Sequence, residues 1–141
     1  MKNRVNIVIV GAVMMYLVLG CSGTAKNTST TAAADPNAKP IAVDAKVLTK
    51  EYDTNELAAD GKYKGKLLAV TGKIASIAET LGNVTVQLDG HNAVISVMCS
   101  FEESEKASVA KLKKGQTTTL VGTGDGSTGG LYAGLTKCKV Q

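Results

Sequence analysis

The sequence predicts a mainly β domain in which five strands and one helix follow the order βββαββ and close into a small barrel, with an open α+β sandwich as the alternative. Residues 41–141 contain five segments with alternating apolar residues, and a charged helical pattern separates the third segment from the fourth. The chain has 141 residues, which allows one ordinary domain plus appendages. Hydrophobic residues make up 44% of the chain and charged residues 20%, so most of it should fold.

The N-terminal 21 residues are organised like a lipoprotein signal. Lys2 and Arg4 precede an apolar run over 5–19, and Gly20 and Cys21 follow it directly. A membrane-spanning helix needs roughly 20 apolar residues, so this run fits a signal peptide better. Its end resembles the bacterial lipobox, which implies cleavage before Cys21 and attachment of membrane lipid to the Cys21 sulfur. The alternative is an ordinary secretory signal.

This resemblance places the protein in the bacterial cell envelope, with its domain outside the cytoplasm. Where a cell has two membranes, it implies the outer one, because Ser rather than Asp follows the cysteine. Residues 21–40 are mostly small and polar with no apolar periodicity, so they cannot form a core. The chain therefore divides into a signal peptide at 1–20, a lipidated cysteine with a flexible tether at 21–40, and a folded domain at 41–141.

Charge alone does not identify a partner. The chain has 16 basic and 12 acidic residues, and removal of Lys2 and Arg4 with the signal leaves 16 − 2 = 14 against 12. This balance is too even to indicate nucleic acid or a strongly acidic partner.

Two short helical pieces should lead into the sheet. Asp44 is a suitable N-cap, with Leu48 following at helical spacing. A second start is predicted at Asp53, because Glu56 stands three residues further on, as in a capping box. Gly61 should end this second helix.

The first three strands of the barrel follow from the period-two pattern. A long, bent strand begins at Lys66, and its apolar phase slips between Ile74 and Ile77, which predicts a bulge or a glycine bend. The second strand is the clean alternation over 83–88, and the third is 93–99. The inward residues of the third strand should be Ile95, Val97 and Cys99.

A helix should separate the third strand from the fourth. Segment 100–114 starts with Ser100 as N-cap, and it carries acidic residues in its first turns and lysines at its end, as the helix dipole favours. The fourth strand is then 117–122, a glycine-rich hairpin loop covers 123–130, and the fifth strand is 131–140.

Several short motifs resemble the tRNA_anti-like family of small OB-fold envelope proteins and lipoproteins. They are Leu57-Ala58-Ala59-Asp60, Tyr63-Lys64-Gly65-Lys66, Val70-Thr71-Gly72-Lys73-Ile74 and Leu112-Lys113-Lys114-Gly115-Gln116. Their order and spacing across 43–140 carry the resemblance, which implies the OB barrel that the βββαββ order also indicates. The family name records kinship with anticodon-binding OB domains, and it implies no tRNA binding here.

Two cysteines remain after Cys21. Cys99 ends the third predicted strand and Cys138 lies in the fifth. An even count outside the cytoplasm predicts a disulfide, and in an OB barrel these two strands are neighbours. Two buried free thiols are the alternative. A catalytic dithiol would normally show a Cys-x-x-Cys spacing, which is absent.

The remaining chemistry-bearing groups do not indicate an enzyme. His91 is the only histidine and sits in a polar turn, so we expect a solvated hairpin tip. No second histidine or free cysteine is available for a metal site or a catalytic triad. The glycines of 122–130 precede a strand rather than a helix, so they do not form a phosphate loop. We therefore expect no catalytic residues, no metal and no cofactor.

A ligand, if one binds, should lie where OB domains present it. That surface crosses the second and third strands between the loops at 79–83 and 123–130. The expected ligand-binding residues are Thr85, Gln87, Asp125, Ser127 and Thr128. Neutral hydrogen-bonding groups suit a glycan, a peptide or an envelope protein better than a polyanion, which needs several cations.

The function predicted from the sequence is a membrane-anchored, non-enzymatic binding module, held by membrane lipid through Cys21. The alternative is an OB domain that binds single-stranded nucleic acid. The second and third strands carry no aromatic residue for base stacking, and no arginine remains after signal removal, so nucleic acid is the weaker interpretation. Four lysines form a possible basic patch that we interpret as a solvated rim: Lys62, Lys64, Lys66 and Lys73.

Overall fold

The structure is a computed structural model and describes residues 39–141. The predicted signal, Cys21 and most of the tether lie outside these residues. The described elements are β1 (Ile41–Asp44), α1 (Ala45–Thr54), α2 (Glu56–Tyr63), β2 (Leu67–Thr80), β3 (Asn83–Asp89), β4 (Ser96–Phe101), a 3-10 turn (Glu103–Glu105), α3 (Lys106–Val109), β5 (Thr117–Thr128) and β6 (Tyr132–Val140). Within this range, every helix is too short or too polar to cross a membrane.

The strands form one six-stranded sheet in the order β1-β2-β3-β4-β6-β5, and β5 also pairs with β2. Strands β2 to β6 therefore make a closed ring of hydrogen bonds, with β1 added beside β2. The predicted mainly β class with helices is confirmed. β1 was not predicted, because three of its four residues are exposed and it shows no alternation.

The first half of β2 pairs with β5 and its second half pairs with β3. The register with β3 shifts between Ile74 and Ser76, which confirms the predicted bulge. Gly72 lies in the same bend, where a Cβ would stand 2.7 Å from the Cβ of Ala45. A larger residue would therefore push α1 away from β2.

The core lies inside the ring and under the two N-terminal helices. Leu48 of α1 and Tyr63 of α2 are almost completely buried, as are the inward residues of every long strand. The rings of Tyr52 and Tyr63 lie 6.3 Å apart between their centres, which ties α1 to α2. The apolar strand residues with 2% exposure or less are Leu68, Val70, Ile74, Val86, Leu88, Val97, Cys99, Leu120, Ala133, Leu135 and Cys138.

The helix starts were predicted in part. Asp44 caps α1 and accepts a hydrogen bond from the Lys46 amide at 2.8 Å. The cap of α2 is Asn55 rather than Asp53, and it accepts from the Ala58 amide at 3.1 Å. Gly61 does not end α2, because burial of Tyr63 holds the last turn in place beyond the glycine.

The helix predicted over 100–114 is wrong for most of its length. Ser100 and Phe101 belong to β4, since Phe101 continues the inward alternation of Val97 and Cys99. Only the 3-10 turn and the four-residue α3 remain helical. Val109 is the one residue of α3 that is buried, and a single anchor does not support a longer helix.

The strand predicted over 93–99 begins later than expected, because β4 starts at Ser96. The side-chain oxygen of Asn92 accepts hydrogen bonds from the amides of Val94 and Ile95 at 2.9 and 2.8 Å. This local turn uses the amides that a strand would need for pairing. Ile95, Val97 and Cys99 are buried, as expected.

Candidate ligand-binding surface

The outward side chains of β3, β4 and β6 form one continuous surface. The register pairs Thr85 with Ser100 and Gln87 with Met98 across β3 and β4. It then places Gly134 beside Met98 on β6. Paired residues point to the same side of a sheet, so these positions lie together. We call this surface the polar face. Its members are Thr85, Gln87, Met98, Ser100 and Gly134 at the centre, with Asp89, Ser96 and Tyr132 at one end.

Neighbouring β2 orients two of these side chains. The Ser76 hydroxyl donates to Oε1 of Gln87 at 3.1 Å, and the Thr85 hydroxyl donates to the Ala78 carbonyl at 3.4 Å. The Gln87 amide nitrogen has no protein partner within the described range. An acceptor on a ligand could therefore bind this nitrogen without displacing a protein contact.

Gly134 has no side chain, so backbone is exposed at the centre of the polar face. A Cβ added there would first meet the Gly126 carbonyl oxygen at 3.4 Å and the Asp125 Cβ at 3.5 Å, which are ordinary contacts. The glycine is therefore not demanded by packing at this point. Its effect is to leave backbone open between Met98 and Asp125.

The segment predicted as a ligand loop is largely strand. β5 continues through Thr128, and the turn to β6 contains only residues 129–131. Two inward positions of this strand, Gly122 and Gly124, are glycines because neighbours approach closely. A Cβ on Gly122 would stand 2.8 Å from Cys138 Sγ, and one on Gly124 would collide with the Tyr63 carbonyl. Glycine here serves packing rather than loop mobility.

The three predicted residues of β5 are therefore placed differently from one another. Asp125 is exposed and borders Gly134 on the polar face. Thr128 pairs with Tyr132 at the rim of that face. Ser127 pairs with the buried Ala133, so it turns towards the inner side of the ring and away from Thr85 and Gln87.

Tyr132, Met98 and Gly134 are residues of the polar face that the sequence reasoning did not select. Tyr132 pairs with Ser96 and supplies an aromatic side chain next to β4. The alternation Ala133, Leu135 in the last strand already indicated that Tyr132 points outward. What the sequence could not supply was the parallel register that places β6 directly beside β4.

His91 is not the solvated hairpin tip that was expected. Its side chain is 20% exposed and contacts α1, with Nε2 3.1 Å from Oδ2 of Asp53. The Thr49 hydroxyl donates to the Ala45 carbonyl at 2.8 Å and accepts from the His91 backbone amide at 2.9 Å. Nδ1 of His91 lies 3.3 Å from the same hydroxyl oxygen. His91 thus fastens the β3–β4 loop to α1.

Cys99 and Cys138 are joined by a disulfide, with their Cα atoms 6.0 Å apart. Both residues are buried, and the bridge links β4 to the neighbouring β6 on the inner side of the ring. The bridge therefore supports the strands of the polar face from behind. It leaves neither sulfur at the surface.

A second concavity lies between α1 and α2, away from the polar face. Its volume is about 550 Å³, and exposed Val47 and Ala58 line it together with the Glu51–Lys62 ion pair, whose Nζ–Oε1 distance is 2.8 Å. The Lys62 hydrogen bond lowers the pKa of Glu51, and the Glu51 hydrogen bond raises the pKa of Lys62. The two charged groups therefore stabilise each other's ionised form on one wall of the concavity.

Tyr52 lies behind that cleft, and its phenol has a raised pKa. Burial is the main cause, and the Asp60 carboxylate adds to it. Tyr52 is therefore a neutral phenol throughout the physiological pH range. No cluster of three or more potential metal ligands occurs among residues 39–141.

Comparison with known proteins gives a family and a fold. The model of the family described as tRNA_anti-like matches residues 1–139. No curated protein matches the chain. A solved structure from Klebsiella pneumoniae subsp. pneumoniae, provisionally described as a nucleic acid-binding lipoprotein, is similar at 20% identity with a TM-score of 0.59. The match covers 70% of this chain and 91% of that one, and it shows a shared fold.

Two further structures are similar at a TM-score of 0.44. One is the OBody AM3L09 bound to hen egg-white lysozyme, at 13% identity over 56% of this chain and 84% of that one. The other is the asparaginyl-tRNA synthetase of Entamoeba histolytica, at 17% identity over 72% of this chain and 24% of the synthetase.

Proposed function

This chain belongs to the tRNA_anti-like family, and on that premise we propose that it is a bacterial envelope lipoprotein whose folded domain is a non-enzymatic OB barrel. Membrane lipid on Cys21 anchors the protein, residues 21–40 tether it, and the polar face binds a neutral, hydrogen-bonding ligand. The closed ring of β2 to β6 supports the barrel, because its strand neighbours are those of an OB fold.

The observation that carries the ligand class is the lack of charge at the centre of the polar face. Thr85, Gln87, Met98, Ser100 and Gly134 are partly exposed, and each is uncharged. Hydroxyl and amide groups around an open backbone suit the hydroxyls of a glycan or the amides of a peptide. A polyanion would need several cations at this place.

Tyr132 supports a sugar ring or a peptide side chain as part of that ligand. An aromatic ring beside hydrogen-bonding groups can pack on the apolar face of a sugar while the polar groups fix its orientation. Asp125 stands at the border of the same floor and can accept hydrogen bonds from ligand hydroxyls. The partner in this proposal is a cell-wall glycan, a peptide or an envelope protein.

Single-stranded nucleic acid is the second candidate. The description of the Klebsiella pneumoniae structure favours it, since that protein shares the fold. Tyr132 also offers one stacking platform, although a single ring and no neighbouring lysine on β3 or β4 make a weak binding site for a phosphate backbone. This candidate predicts tight, salt-dependent binding of single-stranded DNA, whereas the proposal of a neutral ligand predicts no such binding.

The two candidates are separated by titrating variants of the polar face with two probes. Calorimetry with cell-wall glycan fragments and with single-stranded DNA should be run on wild type, Gln87→Ala and Gly134→Leu. Val121→Leu serves as the matched control, because Val121 is a partly exposed outward residue on β5. We expect glycan binding that Gly134→Leu abolishes and Val121→Leu preserves. Tight DNA binding lost in the same variant would favour the second candidate.

A further inference from the structure

We propose that the outward surface of β2, β5 and the end of β6 docks on an anionic phospholipid bilayer and so orients the anchored domain. This surface, the lysine face, lies on a different part of the ring from the polar face. Its members are Thr71, Lys73, Thr117, Thr119, Thr123, Thr136, Lys137 and Lys139, and the apolar residues Leu67, Ala69 and Val121 lie between them. The inference rests on the proposed lipid anchor for its biological setting, and it is argued from the contacts of the described residues.

The register brings the lysine face together. Lys73 pairs with Thr117, and Thr71 pairs with Thr119 across β2 and β5. The hydroxyl oxygens of Thr71 and Thr119 lie 2.8 Å apart, which places both side chains on the same side of the sheet. On the other side of β5, Val121 pairs with Lys139 of β6. Lys73, Lys137 and Lys139 are all exposed, and Lys137 lies at the register shift of β6 beside Thr136, which pairs with Thr123.

No acidic side chain on this face compensates its positive charge. Residues 67–78, 117–124 and 132–140 contain no Asp or Glu. Across residues 39–141, the lysines in ion pairs are Lys62, Lys64 and Lys106, none of which belongs to this face. The nearest carboxylate in the register is Asp44 beside Thr71, and it is already engaged as the cap of α1.

The turn before β5 adds more positive charge at one end of the face. The Gly115 amide donates to the Ile74 carbonyl at 2.8 Å, and the Gln116 carbonyl accepts from the Ile74 amide at 2.8 Å. These bonds hold the turn against β2 close to Lys73, whose Cε would lie 3.9 Å from a Cβ on Gly115. The turn carries two exposed lysines, Lys113 and Lys114.

The shape and composition of the lysine face favour a bilayer over a nucleic acid. Its cations are spread over three strands, roughly 10 Å across the sheet and 13 Å along it by strand geometry, rather than along one groove. No aromatic side chain and no arginine occurs among its members, so it can neither stack bases nor grip phosphates in a bidentate manner. Lysines on a broad face match the spaced phosphates of lipid headgroups.

The position at which the tether joins the domain also favours a bilayer as the partner of the lysine face. β1 begins at Ile41 and runs beside β2, so the tether of the proposed anchor joins the domain at the border of the lysine face. A flexible tether of this length spans on the order of 25 Å, which keeps the face near the bilayer and lets weak contacts act. The polar face would then point away from the membrane.

The test uses the lipidated protein purified from membranes and incorporated into vesicles of neutral phosphatidylcholine or of phosphatidylcholine with about 30% phosphatidylglycerol. Acetylation of each lysine is followed by mass spectrometry at low and at high salt. We expect Lys73, Lys137 and Lys139 to react at least about fivefold more slowly on the anionic vesicles, the factor equivalent to about 1 kcal/mol per lysine. High salt should remove the protection. Lys46 and Lys50, exposed on α1, should react equally on both.

Two variants with the same loss of charge sharpen the test. Lys73→Gln with Lys139→Gln should abolish the protection of Lys137, whereas Lys46→Gln with Lys50→Gln should leave it intact. If the chains float with both kinds of vesicle but all lysines are labelled equally, the inference about the lysine face is wrong. The proposed lipid anchor is not contradicted by that result. Chains that fail to float with neutral vesicles would instead contradict the anchor. Protection by added single-stranded DNA but not by anionic lipid would assign the face to nucleic acid and also overturn the inference.

Discussion

At the scale of single residues, His91 holds its loop against α1 through both its backbone amide and its ring. The Thr49 hydroxyl hydrogen goes to the Ala45 carbonyl, so its oxygen accepts from His91. Asp53 and Asn92 then flank the other ring nitrogen at 3.1 and 2.9 Å. These contacts hold the end of β3 on α1 and thereby set one border of the polar face.

Replacement of this histidine should destabilise the domain by about 1 kcal/mol, since His91→Ala removes side-chain hydrogen bonds that are partly shielded from water. Urea unfolding followed by circular dichroism measures the change. Val94→Ala lies in the same loop at a side chain that is 69% exposed, and it should change the free energy of unfolding by less than about 0.5 kcal/mol. Equal effects of the two substitutions would contradict a fastening role for His91.

The Cys99–Cys138 bridge closes a loop of 39 residues. On the chain-entropy model such a closure stabilises by roughly 3 to 4 kcal/mol, so reduction should lower the melting temperature by about 10 to 30 °C. Calorimetry with and without reductant measures this. Thiol titration of unfolded, unreduced protein purified from the native envelope should find neither cysteine free, and two free thiols would contradict the bridge.

At the scale of elements, the buried glycines of β5 are needed because α2 and β6 lie close to the strand. The Gly124 amide donates to the Lys66 carbonyl at 2.9 Å, and its carbonyl accepts from the Gly65 amide at 2.8 Å. The strand is thereby locked against the chain that follows α2. The sequence predicted a hairpin loop at these glycines. Composition alone does not distinguish a glycine in a mobile loop from a glycine that is needed because a neighbouring backbone lies close.

Two Gly→Ala substitutions should have opposite effects. Gly124→Ala places a Cβ against the Tyr63 carbonyl and should cost roughly 1 to 3 kcal/mol of stability. Gly61 lies inside α2 with no atom within 4 Å of the position that a Cβ would take, so Gly61→Ala should stabilise by about 0.5 to 1 kcal/mol. Denaturant unfolding of both variants measures the pair. A neutral Gly124→Ala would mean that β5 and α2 do not pack as described.

The elements that the sequence predicted well are those with a local cause. The bulge after Ile74 and the cap at Asp44 follow from neighbouring residues alone. The helix over 100–114 failed because burial of Phe101 in the sheet outweighed a favourable pattern of charges. The parallel pairing of β6 with β4, which completes the polar face with Tyr132 and Gly134, is a long-range contact with no local signal.

At the scale of the whole molecule, the ring separates two surfaces of different chemistry. The polar face on β3, β4 and β6 is neutral at its centre, and the lysine face on β2, β5 and β6 carries unpaired cations. In an anchored protein, one surface can contact the membrane while the other remains available to a ligand. The proposed tether gives the domain the freedom to do both.

The proposed anchoring through Cys21 makes a prediction for the whole chain. Wild type should fractionate with membranes and carry the mass of attached lipid, whereas Cys21→Ala should be neither lipidated nor cleaved at this site. Mass spectrometry of the purified protein measures both properties. The same acylated mass in Cys21→Ala would contradict the lipoprotein assignment. Cys99 and Cys138 do not compete for lipid, since they are buried and joined to each other.

Amide chemical-shift mapping of segment 39–141, which contains the whole described core, tests the central claim most directly. The segment is titrated with cell-wall glycan fragments and, separately, with single-stranded DNA. The proposed function predicts that glycan shifts concentrate on Gln87, Met98, Tyr132 and Gly134, with little response to DNA. Glycan shifts confined to the cleft between α1 and α2, or tight DNA binding centred on Lys73 and Lys139, would contradict it.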